Sequence, residues 1–314
     1  MVNRESPKTQ KNRAILQIRA KTLGAARTWF NQNDFTEVQG PTIIPAIGDR
    51  PSCFPVNYFN EKAYLSGGLQ PYSYAFLKIF EKIYTIAPTF RAEKLKTKRH
   101  LTEYWRIEAA ASNFTLDQIM DAQENLLTHI CQRLTENAAS ELKQLNRSPE
   151  TLNNVTTPLT RLTYDQTIEI LQKQGQNIQW GEQLTPETEN KLSLQFKHPF
   201  FITHFPLNFE TFFHKSNPKK PELTLTADLI APEGYGEIAS SGEMITNKKI
   251  LQRKMAQAKI DPKDQEWYLT FIKQNSIPHS AFAIGLERLI QWICNRENIN
   301  QATAFPRTYE NNYP

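Results

Sequence analysis

The stretch FRAEKLKTKRHLTEYWRIEAA, residues 90–110, sets Arg91, Lys94, Lys96, Lys98 and Arg99 within ten residues. Together on an ordinary folded surface they would repel one another. The pattern therefore reads as a receiver for a phosphate-rich partner, either a nucleotide or a nucleic acid, with a solvated basic hairpin as the bland alternative. Glu93, His100, Glu103 and Glu108 are spaced among and beyond these cations. Other reactive side chains suggest less. Cys53, Cys131 and Cys294 are scattered, without a CxxC pair, which fits free thiols in a reducing compartment. The six histidines show neither HxxxH nor HExxH spacing, so a zinc site is not expected.

The bulk composition bounds what can surround these groups. In 314 residues, 39% are hydrophobic and 22% charged, which suits a folded chain able to bury a sizeable core. No apolar run approaches the roughly 20 residues of a membrane span. The start, MVNRESPKTQKNR, is polar and lacks the apolar core of a secretion signal. A cytoplasmic protein with no membrane partner is the expectation. The net charge of +5 concentrates near residues 4–21 and in the 91–99 cluster.

Hydrophobic spacing then predicts the elements. Ile15, Ile18, Leu23, Ala26, Trp29 and Phe30 mark a long amphipathic helix, and FTEVQGPTII a short strand broken at Gly40-Pro41. KAYLSGGLQPYSYAFLKIF reads as strand, glycine turn and helix. KIYTIAPTFRAE and TEYWRIEAAA read as an antiparallel pair joined by the basic segment. Thr115 with Gln118 forms a capping box that opens a helix. Residues 137–160 read as a polar loop or insertion, and 1–12 as a flexible basic N-terminus. Further strands are expected at PFFITHFP, ELTLTADLIAP and GYGEIASSG, and helices near 164–175, 185–196, 244–259 and 262–275. HSAFAIGLERLIQWIC reads as a strand running into a helix. Paired strands between helical groups favour an α+β domain on an antiparallel sheet flanked by helices, one domain over 1–314.

Taken together, these motifs resemble the catalytic core of class II aminoacyl-tRNA synthetases. The resemblance is to the asparaginyl/aspartyl branch, including the related archaeal asparagine synthetase, and covers residue 13 onward. The first helix and strand, ending in EVQGP, resemble motif 1, which implies a homodimer. FRAE…RHLTEYW resembles motif 2. The resemblance implies that Arg91 grips the α-phosphate of ATP and the carboxylate under activation. It implies further that Glu93 accepts from the adenine amine, that Arg99 and His100 meet the outer phosphates, and that Tyr104 stacks on adenine. AFAIGLERLIQWI resembles motif 3, implying that Arg288 holds the γ-phosphate from a helix start. GEIASSGEMI resembles the stretch that binds Mg²⁺, through Glu237 helped by Ser240. The closing FPRTYENNYP resembles the family's own ending.

Departures from the pattern gather around the amino acid. Ala281 and Ala283 stand where the family has glycines, so each methyl narrows the floor under ATP. Glu108 matches an acidic position beside the substrate, but its usual partner falls at Ala110. Gln70 matches the first residue of the family's Gln-Leu-x-x-Glu segment, whose glutamate falls at Tyr74. The family's substrate-binding arginine falls at Met244, preceded by Glu243, a candidate partner for a substrate amine. A pocket without that arginine lacks what a buried carboxylate needs, so free aspartate and asparagine are expected to be poor substrates. The chain also begins just before motif 1, so no OB-fold anticodon-binding domain is expected. The leading expectation is an AMP-forming ligase that uses ATP and Mg²⁺ to activate a carboxylic acid, chiefly an amino acid, and passes it to an amine, ammonia or a small molecule. The alternatives are tRNA aminoacylation as an asparaginyl-tRNA synthetase-like enzyme and, third, a non-catalytic sensor.

Overall fold

In the computed structural model, which describes residues 7–45, 53–209, 212–260 and 265–313, helix α1 (Pro7–Gln32) opens the chain. Of its expected stripe, Ile15, Ile18, Ala26, Trp29 and Phe30 are buried and Leu23 packs half-buried against the same core. The helix already runs through residues 7–12, which the sequence suggests are flexible. After β1 (Thr36–Glu37), a small sheet forms from β2 (Ile43–Ile44), β3 (Pro55–Tyr58) and β4 (Glu61–Leu65), in the order β2-β4-β3. Helix α2 (Gln70–Phe76) then leads into β5 (Lys82–Phe90) and β6 (Glu103–Ser112), which pair antiparallel with the basic segment between them.

Helix α3 (Leu116–Asn137) starts at the Thr115 capping box. The stretch from 137 to 160 is not the polar loop its composition suggests. It folds into α4 (Ala139–Gln144) and α5 (Pro149–Asn153), and Leu142, Leu145, Leu152 and Val155 are all fully buried. Apolar residues too few for a long amphipathic pattern are enough for two short helices once α1 and α3 supply a surface. The chain continues through β7 (Thr160–Thr163), α6 (Tyr164–Lys173), α7 (Pro186–Ser193), β8 (Phe200–Thr203), β9 (Thr226–Ala231) and β10 (Gly236–Glu243). Next come α8 (Lys248–Gln257) and α9 (Glu266–Gln274); the expected start of α9 at 262 lies outside the described residues. Strand β11 (His279–Gly285) runs directly into α10 (Leu286–Ile293). Among the described residues no helix is long and apolar enough to cross a membrane.

The large sheet has the order β1-β5-β6-β11-β10-β9-β8-β7. Its centre is antiparallel, and only the edge pairs β1/β5 and β7/β8 are parallel. The sheet's two faces differ in kind, because side chains alternate along each strand. Ile107, Ala109, Phe282, Ile284 and Leu229 face a core completed by α1, α3 and α10. On the opposite face the register aligns Glu108, Ala283, Ser240 and Asp228 in one row across β6, β11, β10 and β9. Arg106 and Gly285 form the row on one side of it; Ala110, Ala281, Gly242 and Thr226 form the row on the other. That polar face is the floor of the candidate site.

Candidate active site

Two cavities adjoin over this floor and share Arg91, Arg106, Ser240 and Ala283. The first, about 100 Å³, is ringed by cations: Arg91, Arg99, Arg106 and Arg288 line it, with His100, Tyr104 and Glu237. Arg288 comes from the first turn of α10, whose N-cap Gly285 also lines the cavity. Its Nη1 donates to Glu237 Oε2 at 2.8 Å and to the Glu237 carbonyl at 3.2 Å. Arg99 reaches the same carbonyl through Nη2 at 2.9 Å, while its Nη1 donates to Glu189 Oε2 at 2.8 Å. The Glu237 amide donates to that Glu189 oxygen as well, at 3.3 Å. Two guanidinium groups and two carboxylates thus fix one corner of the cavity.

Electrostatics follow from that packing. Burial alone would raise the Glu237 carboxyl, but Arg288, Arg99 and Arg91 outweigh it and hold the group down at about 2. Glu237 is therefore ionised at neutral pH, and Ser240 lines the same cavity. One carboxylate and one hydroxyl suit a Mg²⁺ that keeps waters and takes its other ligands from a polyphosphate. Among the described residues no cluster of three or more His, Cys, Asp or Glu forms an all-protein metal cage. His100 is pushed down to about 4, first by burial and then by Arg288, so at pH 7 it offers a neutral imidazole to the cavity. Arg91 lies 3.7 Å from Glu93 with its side chain partly exposed. The ring of Tyr104 stacks under the Arg106 guanidinium, 5.5 Å from ring centre to the guanidinium carbon.

The second cavity, about 200 Å³, differs in chemistry. Its lining includes the carboxylates Glu108 and Asp228, the amide of Gln70, and a wall with Met244, Phe213 and Ala281. The loop Ser66–Leu69 closes over Glu108: the Leu69 amide donates to Glu108 Oε2 at 3.1 Å, and Arg106 Nη1 donates to the Gly67 carbonyl at 3.0 Å. Gln70, the first residue of α2, donates to Tyr268 Oη at 3.2 Å and touches Met244 Sδ at 3.9 Å. Of the two alanines expected under ATP, only Ala283 lines the cationic cavity; Ala281, one row further along the floor, lines the second cavity alone.

Two expected substrate contacts are not in this cavity. Tyr74 is fully buried behind it, with its hydroxyl donating to the Ile245 carbonyl at 2.9 Å and its ring edge-on to His279. It is a core residue, because the helical position that follows Gln70 by one turn faces α9. Glu243 also points away. Its Oε1 accepts the Leu116 amide at the start of α3, at 3.0 Å, and Lys215 Nζ lies 3.1 Å from Oε2. Strand alternation explains this, since Ser240 and Gly242 face the site and Glu243 faces the other side. The carboxylates in the cavity are Glu108, which was expected, and Asp228, which was not. Arg106, Glu189 and the Gly67-Gly68 loop were also missed. Arg106 could have been found two residues before Glu108 on one strand; Asp228 lies 120 residues after Glu108, and Glu189 lies 90 residues after its partner Arg99.

Comparison with known proteins sets this geometry beside others. Residues 5–309 match the family model described as tRNA synthetases class II (D, K and N). The asparagine–tRNA ligase of Thermococcus gammatolerans is 38% identical over 302 residues, covering 96% of this chain and 70% of the relative. That of Desulforamulus reducens is 39% identical over 308 residues, covering 98% and 72%. The crystal structure of asparaginyl-tRNA synthetase from Pyrococcus horikoshii complexed with asparaginyl-adenylate matches with a TM-score of 0.94 at 36% identity, covering 98% of this chain and 71% of that one.

Proposed function

The chain belongs to the class II tRNA synthetases of the D, K and N type and is an AMP-forming ligase, and on that premise we propose that it activates an amino acid as its adenylate and transfers the acyl group to tRNA. The observation that carries the proposal is the shared seam of the two cavities. A triphosphate in the cationic cavity and an amino acid in the acidic one meet only at Arg91, Arg106, Ser240 and Ala283. There a carboxylate oxygen attacks the α-phosphorus, an oxygen–phosphorus bond forms, and the bond to pyrophosphate breaks. Arg91, at the seam, offsets the charge that builds on the phosphorus oxygens. Arg288 orients the departing pyrophosphate, and neutral His100 donates to it without adding charge. Tyr104, which lines the cavity, and Glu93, beside Arg91 at its edge and outside the lining, would meet the adenine ring. Glu237 and Ser240 would hold Mg²⁺, which supplies further positive charge to the phosphates when bound. No side chain needs to act as nucleophile; catalysis is positioning and charge.

The acceptor is where this reading departs from the sequence expectation. The relatives named above are tRNA ligases, which supports tRNA over ammonia or a small amine. Lys96 and Lys98 line an adjoining depression with Tyr309 and share His100 with the cationic cavity, a surface able to follow a phosphate backbone. Dimerisation through the motif 1 helix α1 is part of the same proposal. The test is amino-acid-dependent ATP–pyrophosphate exchange over a panel of amino acids, followed by charging of total tRNA. Exchange is expected with at least one acid, and Arg91→Ala is expected to lower it about 100- to 1,000-fold, the effect of removing one preorganised oxyanion donor. Exchange without tRNA charging would return the acceptor to a small molecule.

A further inference from the structure

Resting on the adenylate reading above, we propose that the amino acid has an uncharged, predominantly apolar side chain, which Met244, Phe213, Ala281 and Gln70 select. Orientation comes first. The seam with the nucleotide cavity fixes where the reacting carboxylate lies, and the next polar groups along the floor are Glu108 and Asp228, in one row with Ala283 and Ser240. Two carboxylates beside a bound acid favour a cationic group on that acid, and an α-ammonium is the one that stands next to the carboxylate. The side chain must then continue away from the nucleotide. The row holding Ala281 and Gly242 lies two residues further, about 7 Å at 3.4 Å per residue, and Met244 follows past the end of β10.

What stands behind that far wall decides the side chain's class. Met244 belongs to an apolar cluster with Tyr74, Ile245, Leu251, Met255 and Tyr268, against which Phe213 and Ala281 also pack. A charged group placed on this wall would be backed by hydrocarbon, and burying an unpaired charge there is heavily disfavoured. Nearby cations are engaged elsewhere: Lys215 pairs with Glu243 at 3.1 Å, and Lys254 donates to the His214 carbonyl at 2.5 Å. Gln70, His214 and Thr226 also line this end of the cavity, and the Gln70 amide nitrogen already donates to Tyr268. The wall of Met244, Phe213 and Ala281 therefore favours an uncharged side chain that is mostly hydrocarbon, with Gln70, His214 and Thr226 able to meet a weakly polar part of it, a different chemistry from a charged side chain.

The proposal is tested by steady-state ATP–pyrophosphate exchange with the full chain, comparing leucine, methionine, phenylalanine and valine with asparagine, aspartate, glutamate and lysine. The expected result is a kcat/KM for the best apolar acid at least about tenfold above asparagine and about 100-fold above aspartate, the range that pocket chemistry can discriminate. Met244→Ala, which deepens the wall, is expected to move the optimum toward a bulkier apolar side chain with the KM for ATP changed less than about twofold. Because Met244 is buried, Gln70→Leu serves as a second variant and is expected to steepen the preference for apolar acids. Highest kcat/KM with asparagine or a charged acid would overturn the assignment while leaving adenylate formation standing. An unchanged ranking in both variants would remove Met244 and Gln70 from the selection. Exchange with no acid at all would overturn the adenylate reading itself.

Discussion

At the scale of single residues, the candidate site depends on how its charges hold one another. Glu189 is the least obvious of them. It arrives on α7, far in sequence from the basic segment, and one of its oxygens accepts both Arg99 and the Glu237 amide. Glu189→Gln keeps the shape but removes the charge that aims Arg99. The expected outcome is a rise of about tenfold in the KM for ATP with a smaller change in kcat, measured by exchange kinetics; equal loss in both would mark a merely structural role. Ala283 gives a second residue-scale prediction. It is the methyl common to both cavities, so Ala283→Gly is expected to lower the KM for ATP several-fold while costing about 0.5–1 kcal/mol of stability in a strand interior. An unchanged KM would show that the methyl does not crowd the nucleotide. Arg91, Glu237 and Arg288 were legible in the sequence because each sits in a short run whose neighbours identify it. Tyr74 and Glu243 were misread because spacing gives a position along an element and not the face it turns to. Glu243 was recoverable even so: strand parity from Ser240 sends it to the opposite side.

At the scale of elements, the site depends on turns that bring backbone close to charge. Gly68 has φ of +140°, and an added Cβ would lie 2.7 Å from Glu108 Oε1 and 3.2 Å from Arg106 Nη1. Gly68→Ala therefore has to move the loop off Glu108, with a backbone cost of about 1–3 kcal/mol. The KM for the amino acid is expected to rise at least about tenfold while the KM for ATP changes little, since Gly68 lines only the second cavity. Parallel rises in both would mean that the loop supports the whole floor. The sequence marked this glycine pair as a turn, yet the approach to Glu108 depends on a pairing between β6 and a loop 39 residues earlier. Long strands and helices with a clean period were legible: β5, β6, β11, α3 and α6 all appear where their patterns place them. Helices α4 and α5 were not, because five- and six-residue helices carry no readable period and form only against the long helices, α4 chiefly on α1 and α5 on α3.

At the scale of the whole molecule, the groups that build the site also set how it responds to acid. His279, fully buried at the start of β11, is pushed down to about 4 chiefly by burial, and His100 is held at about 4 by burial and Arg288. Both histidines return to the ordinary value near 6.5 on unfolding. Below 6.5 the unfolded chain takes up protons that the folded chain refuses, so stability falls as pH drops toward 4 and these two contribute no slope above 6.5. Glu237 acts in a lower window: its folded value near 2 lies beneath the usual 4.5, so its stabilising contribution is present above 4.5 and lost as pH falls toward 2. Urea unfolding between pH 8 and 4 is therefore expected to show a flat upper limb and a decline beginning near 6.5. Each histidine contributes a slope of at most about 1.4 kcal/mol per pH unit. His279→Gln is expected to lower stability at pH 8 but to flatten the decline, because the substituted chain has one fewer group to protonate on unfolding. A decline of unchanged steepness in that variant would mean that His279 does not contribute and that the loss below 6.5 comes from His100 and from His129 and His204, which burial also pushes down.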